Sequence, residues 1–414
     1  MRLVLAAFAL AGCRTTEPAV AEPPPARVER VRAPAEVEDA VHGTLEERDG
    51  QTLLRVWGTP AQMGYAHGFL LRDRIIDVVE NYALATVPPG TLDTAATFYA
   101  AVADIAPSLE AETEGIVAGM QAAGGARVES LGRDLTAADL LVLNALTDLI
   151  AIGCSSVSTW DERGAAMVRN LDWTDDPDLL RNQVLIAWRP SDPERQPVVS
   201  VAFAGYVGCL SCMNEAGVAA LFNMGYGDGA ASVGQALGGF APSNLLLRDA
   251  LERRDVDGDG ASTGNDVEHA LREHTNAGSF IVHVLEPTST ARDRSPARVL
   301  EVEADGVHAR GPDAESPLGA SVLAATNHLR GKEGPQPCSR YAKIEKRVGR
   351  ADRELDHDAL WSLGREVRLP QVVHTLLVEP DARVLSVWLR RPGEARGATR
   401  APTRWEWSAL VGLP

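Results

Sequence analysis

The run Gly153-Cys154-Ser155-Ser156 and, past a polar turn, Arg169-Asn170-Leu171-Asp172 set a thiol, a guanidinium and a carboxylate in one short stretch of chain. A thiol attacks as its thiolate, which nearby positive charge favours, so this set suits attack on a carbonyl and passage through an acyl-enzyme. Residues 151–160 are rich in Ser, Thr and Val and residues 165–173 in aliphatics, and Asp161-Glu162-Arg163-Gly164 between them predicts a β-hairpin. With Glu162 and Arg163 as the loop, Asp161 pairs with Gly164, Cys154 faces Leu171 and Ser156 faces Arg169. Arg169 and Asp172 are an odd number of residues apart, so an unbroken strand sends them to opposite faces. A bulge near Asn170 is therefore expected to reunite them.

Five segments together resemble one family. Gly58 to Gly68 (Gly-Thr-Pro-Ala-Gln-Met-Gly-Tyr-Ala-His-Gly), the hairpin, Met213-Asn214-Glu215-Ala216-Gly217-Val218-Ala219 running on to Asn223, Thr326-Asn327-His328, and Ser339-Arg340-Tyr341 fall in the order seen in the isopenicillin N acyltransferase family. These are cysteine N-terminal nucleophile (Ntn) hydrolases, related to bile salt hydrolases and acid ceramidase. The resemblance spans roughly residues 53 to 390. It implies an α+β fold, a four-layer αββα sandwich of antiparallel sheets, and self-cleavage between Gly153 and Cys154 into an N-terminal fragment (37–153) and a catalytic fragment (154–414) that stay together as a heterodimer. It further implies that Asp172 orients the new amine, that Arg169 and Arg340 favour the thiolate or bind a substrate carboxylate, and that Asn223 and Asn327 stabilise an oxyanion. The implied substrate is a small N-acyl amide, with no cofactor for catalysis.

The chemistry explains a glycine before the cysteine. The thiol can attack the Gly153 carbonyl, and hydrolysis of the resulting thioester frees an amine on Cys154; Gly leaves room and tolerates unusual backbone angles. An α-amine of pKa ~8 and a thiol of pKa ~8.5 need only small shifts to exchange a proton near neutrality.

Helices precede and strands follow. Thr59 and Pro60 read as the N-cap and first position of an amphipathic helix to about Leu84. Two more are expected over 92–122, with a break at Pro107, and 137–152. His67, on the apolar face of the first, reads as a hydrogen-bonded core histidine. Strands are expected over 183–188 and 197–203, whose continuous hydrophobicity implies a sheet covered on both faces, and over 218–224, 279–285, 299–303, 321–326, 372–378 and 384–389, with Trp405-Glu406-Trp407 as an edge. Residues 225–242, rich in Gly, Ala and Ser, are either a lip over the cleft or a plain loop.

Cys209 and Cys212 form a C-x-x-C compatible with two buried thiols, a structural disulfide, or redox or metal chemistry; Cys338 has no evident partner. Asp255, Asp257 and Asp259 with Gly260, the Ala261 carbonyl and Asp266 fit positions 1, 3, 5, 6, 7 and 12 of a calcium loop. Ser262 at the aliphatic position and the short Asp266 depart from that pattern, and an acidic turn between two helices is the alternative. Residues 1–13 read as an exported bacterial lipoprotein signal ending in Leu-Ala-Gly-Cys, with Cys13 lipidated as the membrane anchor, and 14–36 as a Pro-rich tether.

The 414 residues carry a net charge of −17, which argues against nucleic acid and anionic lipid surfaces as electrostatic partners. Two other readings stand beside the Ntn one: a papain-like Cys154 paired with His328 or His374 in an uncut chain, and a tethered calcium-dependent binding protein.

Overall fold

The computed structural model describes residues 41–148, 153–227, 239–291, 294–313, 315–331, 334, 337–349 and 355–412. The lipoprotein signal with Cys13, the tether, the start near Val37, the last residues before Gly153 and most of the 225–242 loop lie outside them.

Two strands, β1 (Gly43–Arg48) and β2 (Gln51–Gly58), lead into helix α1 (Pro60–Val78). Thr59 and Gln62 close a reciprocal capping box at its start, with Pro60 in the first turn. The helix widens into a π turn at Val79–Ala83 and ends at Thr86. Helices α2 (Pro89–Val102) and α3 (Pro107–Ala122) follow, parted before Pro107, then α4 (Ala137–Asn144) and a 3-10 turn to Asp148. The hairpin is β3 (Gly153–Asp161) and β4 (Gly164–Asp172). Then come β5 (Gln183–Pro190), β6 (Val198–Phe203), β7 (Ser211–Asn214), β8 (Ala219–Met224), α5 (Ser243–Glu252) and α6 (Gly264–Glu273). After β9 (Phe280–Leu285), β10 (Ala297–Glu303), β11 (Gly306–Arg310) and β12 (Val322–Ala325), the chain ends in α7 (Ser339–Val348), α8 (His357–Glu366), β13 (Val372–Glu379), β14 (Val384–Leu389) and β15 (Thr403–Glu406).

The strands form a nine-stranded sheet, β1-β2-β5-β6-β7-β8-β9-β10-β11, and a six-stranded sheet, β12-β3-β4-β13-β14-β15. Alternation along each strand divides the apolar residues between layers. Leu185, Val199, Leu221 and Ile281 of the large sheet meet Met167, Leu323, Leu376 and Val387 of the small one. Their neighbours Ile186, Phe222 and Val282 pack outward with Ile75, Ile116, Leu247 and Leu271 of the helices, while Val157 and Val168 pack on Ile344, Leu360 and Leu363 of α7 and α8. The order of layers is thus helix, sheet, sheet, helix. One pair departs from the antiparallel expectation: β2 runs parallel to β5, which the long helical crossover between them permits.

Helices α1 and α3 touch backbone to backbone through Gly64 and Gly68 on one and Gly115 and Gly119 on the other. A Cβ on Gly68 would lie 1.9 Å from the Ile116 carbonyl oxygen, and one on Gly119 2.1 Å from that of Tyr65. Gly68→Ala is therefore expected to cost about 3 kcal/mol by forcing the helices apart; an unshifted denaturant midpoint would contradict this packing.

His67 is fully buried, its Nε2 accepting the Gly205 N–H at 3.0 Å, and burial holds its pKa down at about 3, as a core histidine requires. Cys209 and Cys212 are joined as a disulfide. Trp405 is buried on the edge strand β15, and Trp407 opens a short helix.

Candidate active site

The hairpin has the register read from the sequence: Asp161 opposite Gly164, Cys154 opposite Leu171, Ser156 opposite Arg169, with Gly153 opposite Asp172. The ladder between β3 and β4 is unbroken, so the bulge expected near Asn170 is absent. The irregularity sits on the other neighbour, β13, between Val372 and His374. Arg169 and Asp172 accordingly stay on opposite faces, and the site straddles the sheet.

Between the sheets, Arg169 Nη2 lies 3.5 Å from Cys154 Sγ and donates to the Phe222 carbonyl at 2.5 Å. Its Nη1 donates to Ser211 Oγ and to His374 Nε2, the latter at 3.2 Å. On the outer face, Asp172 accepts the Leu369 N–H at 3.0 Å and faces Arg340 Nη1 at 3.4 Å. Arg340, at the start of α7, also donates to the Cys154 carbonyl and, through Nη2, to Asn327 Oδ1 at 2.5 Å. The Cys154 N–H donates to the same Asn327 oxygen at 2.9 Å. Each polar atom of Cys154 thus has its own partner: nitrogen on Asn327, carbonyl oxygen on Arg340, sulfur beside Arg169.

Burial dominates the titration of the site. It raises the Cys154 thiol above its ordinary range, against which Arg169 and Arg340 pull down and Asp172 pushes further up. It likewise raises Asp172 to about 6, with Arg340 the main opposing influence. A Cβ on Gly153 would approach Leu369 Cδ1 to 2.8 Å and Asp172 Cβ to 3.2 Å, so any larger residue before the thiol would have to push Leu369 and Asp172 aside.

The two asparagines of the expected oxyanion pair have different surroundings. Asn327 donates from Nδ2 to the Met224 carbonyl at 2.8 Å and accepts the Cys154 N–H on Oδ1 at 2.9 Å. Asn223 Nδ2 makes long contacts, 3.4 Å to Ser156 Oγ and 3.5 Å to the Thr326 carbonyl, and is suited to donate to an oxyanion. His374, a possible thiol partner on the papain-like reading, turns Nε2 to Arg169 and Ser211 and not to sulfur. His328 packs edge-on against Tyr226. Ser211, and the contact of His374 with Arg169, escaped sequence reading, because only the sheet stacking brings them together.

The acidic loop joins α5 to α6. Carboxylate oxygens of Asp255, Asp257 and Asp259 lie within 4.8 Å of one another. Asp266 does not join them: it accepts the Val256 N–H at 2.5 Å and the Thr263 N–H at 2.6 Å, closing a capping box on α6. Its short side chain serves the helix start, where the spacing had suggested a twelfth-position ligand.

Among the solved structures similar to this chain are the following three. One is the Caenorhabditis elegans N-acylethanolamine-hydrolyzing acid amidase ortholog, at 16% identity over 55% of this chain and 93% of that one, TM-score 0.43. Another is a variant of the conjugated bile acid hydrolase from Clostridium perfringens, at 11% identity over 63% and 99%, TM-score 0.34. The third is penicillin V acylase from Agrobacterium tumefaciens, at 12% identity over 57% and 82%, TM-score 0.32. Neither the family models nor the curated proteins compared with the chain give a match.

Proposed function

We propose that the chain is a self-cleaving cysteine Ntn hydrolase or acyltransferase acting on amide bonds of small N-acyl substrates. The observation that carries this is the separate anchoring of the nitrogen, carbonyl and sulfur of one residue, Cys154, directly after a glycine closely packed by Leu369 and Asp172. In the precursor the thiol adds to the Gly153 carbonyl, the C–N bond breaks as the nitrogen takes a proton, and water hydrolyses the thioester to a Gly153 carboxylate and a free Cys154 thiol and amine. In the mature enzyme the amine accepts the thiol proton, the thiolate attacks the substrate carbonyl, Asn223 donates to the oxyanion, and the leaving amine takes the proton back. Water or an acceptor amine then resolves the acyl-enzyme. The intact mass of the purified full chain tests the reading: two masses parting between Gly153 and Cys154 are expected, and one undivided mass on an active protein overturns it.

Asp172 must be ionised to hold the protonated amine. A carboxyl raised to about 6 is neutral below that pH and charged above it. The expected kcat/KM therefore rises with pH up to about 6, approaching tenfold per unit on the acid side, then levels. A profile flat through this region would detach Asp172 from the chemistry.

We also propose that Asp255, Asp257, Asp259 and the Ala261 carbonyl hold a calcium ion as a clip between α5 and α6, remote from the chemistry. At a hundredfold excess over Kd, calcium would add about 2.7 kcal/mol, seen as a higher Tm that chelator removes and Asp257→Asn abolishes; a Tm indifferent to calcium would leave the loop a simple acidic turn.

A further inference from the structure

Arg169 is wholly buried between the sheets, yet among the described residues no carboxylate bonds to it: Asp172, the nearest acidic residue along its own strand, points out of the opposite face. A buried guanidinium without a counter-ion is expensive, and packing alone does not call for one. Its hydrogen-bond partners among the described residues are neutral: Ser211 Oγ and His374 Nε2 on Nη1, the Phe222 carbonyl and the Cys154 sulfur on Nη2. An arginine offers only N–H donors, so His374 Nε2 must present its lone pair, which makes the ring neutral with its proton on Nδ1. Ser211 Oγ, 3.0 Å from His374 Nε2, accepts from the same Nη1 of Arg169. Ser211 stands between Cys209 and Cys212, whose disulfide fixes the backbone beneath it.

Resting on the nucleophile reading above, we propose that Ser211 and His374 are positioning residues: together they hold one nitrogen of Arg169 with neutral acceptors, so that the other faces the Cys154 sulfur with its positive charge uncancelled. A carboxylate in either place would orient the guanidinium equally well but neutralise it. Two neutral acceptors orient it and leave its charge to the anion that forms on sulfur. The groups whose charge reaches Arg169 are Cys154, Asp172 and Tyr206, with His374 packed against it from β13. Of these, the sulfur is the one in contact with Nη2, which it shares with the neutral Phe222 carbonyl.

Thiolate formation on Cys154, followed by ultraviolet absorbance against pH with the Cys154→Ala chain as blank, reads the effect without a substrate. His374→Leu removes the acceptor, and the thiolate midpoint is expected to move up by about one pH unit as the guanidinium swings away. Ser211→Ala should move it the same way by less, and His374→Gln, whose amide oxygen can take the Arg169 hydrogen, should restore it nearly to the parent value. A folded His374→Leu protein titrating like the parent overturns the proposal; should that variant fail to fold, an unshifted Ser211→Ala does so instead. Intact mass on the same samples separates the two ideas. Cut chains with unshifted midpoints sink the positioning role alone, whereas uncut chains with shifted midpoints uphold it and sink self-cleavage.

Discussion

Cys154→Ala is expected to yield a single uncut polypeptide without amide turnover, its activity lower by a factor on the order of 10⁴ or more, as when the nucleophile is taken from a covalent catalyst. Fold and loss of function should separate cleanly. The side chain removed is small, and its neighbours Leu171 and Val373 belong to the same well-packed cluster, so the variant should remain folded with only a modest stability cost. Cys154→Ser is the more informative partner. A hydroxyl in the same place keeps the nitrogen on Asn327 and the carbonyl on Arg340, so the strained attack on Gly153 stays geometrically possible. An alcohol is far less ready than a thiol to ionise beside Arg169. Slow, incomplete cutting is thus expected where alanine gives none. Intact mass over a time course, with turnover of a chromogenic N-acyl amide on the same samples, checks both. Persistent cutting or turnover in Cys154→Ala would show that another group does the chemistry.

What the sequence disclosed and what it hid have physical causes. The hairpin was legible to the residue because a two-residue loop fixes register and one slip would turn every side chain over. The same strict period made Arg169 and Asp172 look irreconcilable. A bulge seemed necessary only on the assumption that both must approach the thiol from one side. The structure needs none, since a residue at a strand end can be reached through its sulfur from one face and through its backbone from the other. Helix α1 was legible by capping and periodicity, but the reason for Gly64 and Gly68 was not, because it lies in the close approach of α3. Asp266 shows a spacing motif yielding to a local one: a carboxylate three residues past Thr263 closes a capping box. Long-range contacts such as Ser211 with His374, 163 residues apart, leave no local trace.

Arg340 supports the second large expectation. It ties the Cys154 carbonyl, Asn327 and Asp172 together from the outer face, and both charged partners are nearly or wholly buried. Arg340→Leu leaves the Asp172 carboxylate uncompensated, which costs about 3 to 5 kcal/mol when one member of a buried pair is removed. The sign with pH follows from Asp172, whose pKa in the folded protein stands raised to about 6 against an ordinary 3.8. Such a group favours the folded state fully below its unfolded pKa, and that contribution is lost as pH climbs through the folded value. Taking Arg340 away removes the main downward influence on Asp172, so the folded pKa rises further and the loss extends toward neutrality. The stability deficit of Arg340→Leu should therefore be largest near neutral pH and shrink on acidification below about pH 4, where the carboxyl is neutral in both states. Asp172→Asn made on top of Arg340→Leu should recover much of the deficit, giving a coupling of about 1 to 3 kcal/mol in a double-mutant cycle by denaturant unfolding. Additive effects in that cycle, or a deficit that does not change with pH, would mean that the two side chains do not act as a pair. The Asp172 carboxylate would then lose the partner that keeps it ionised at the pH where the amine must be held.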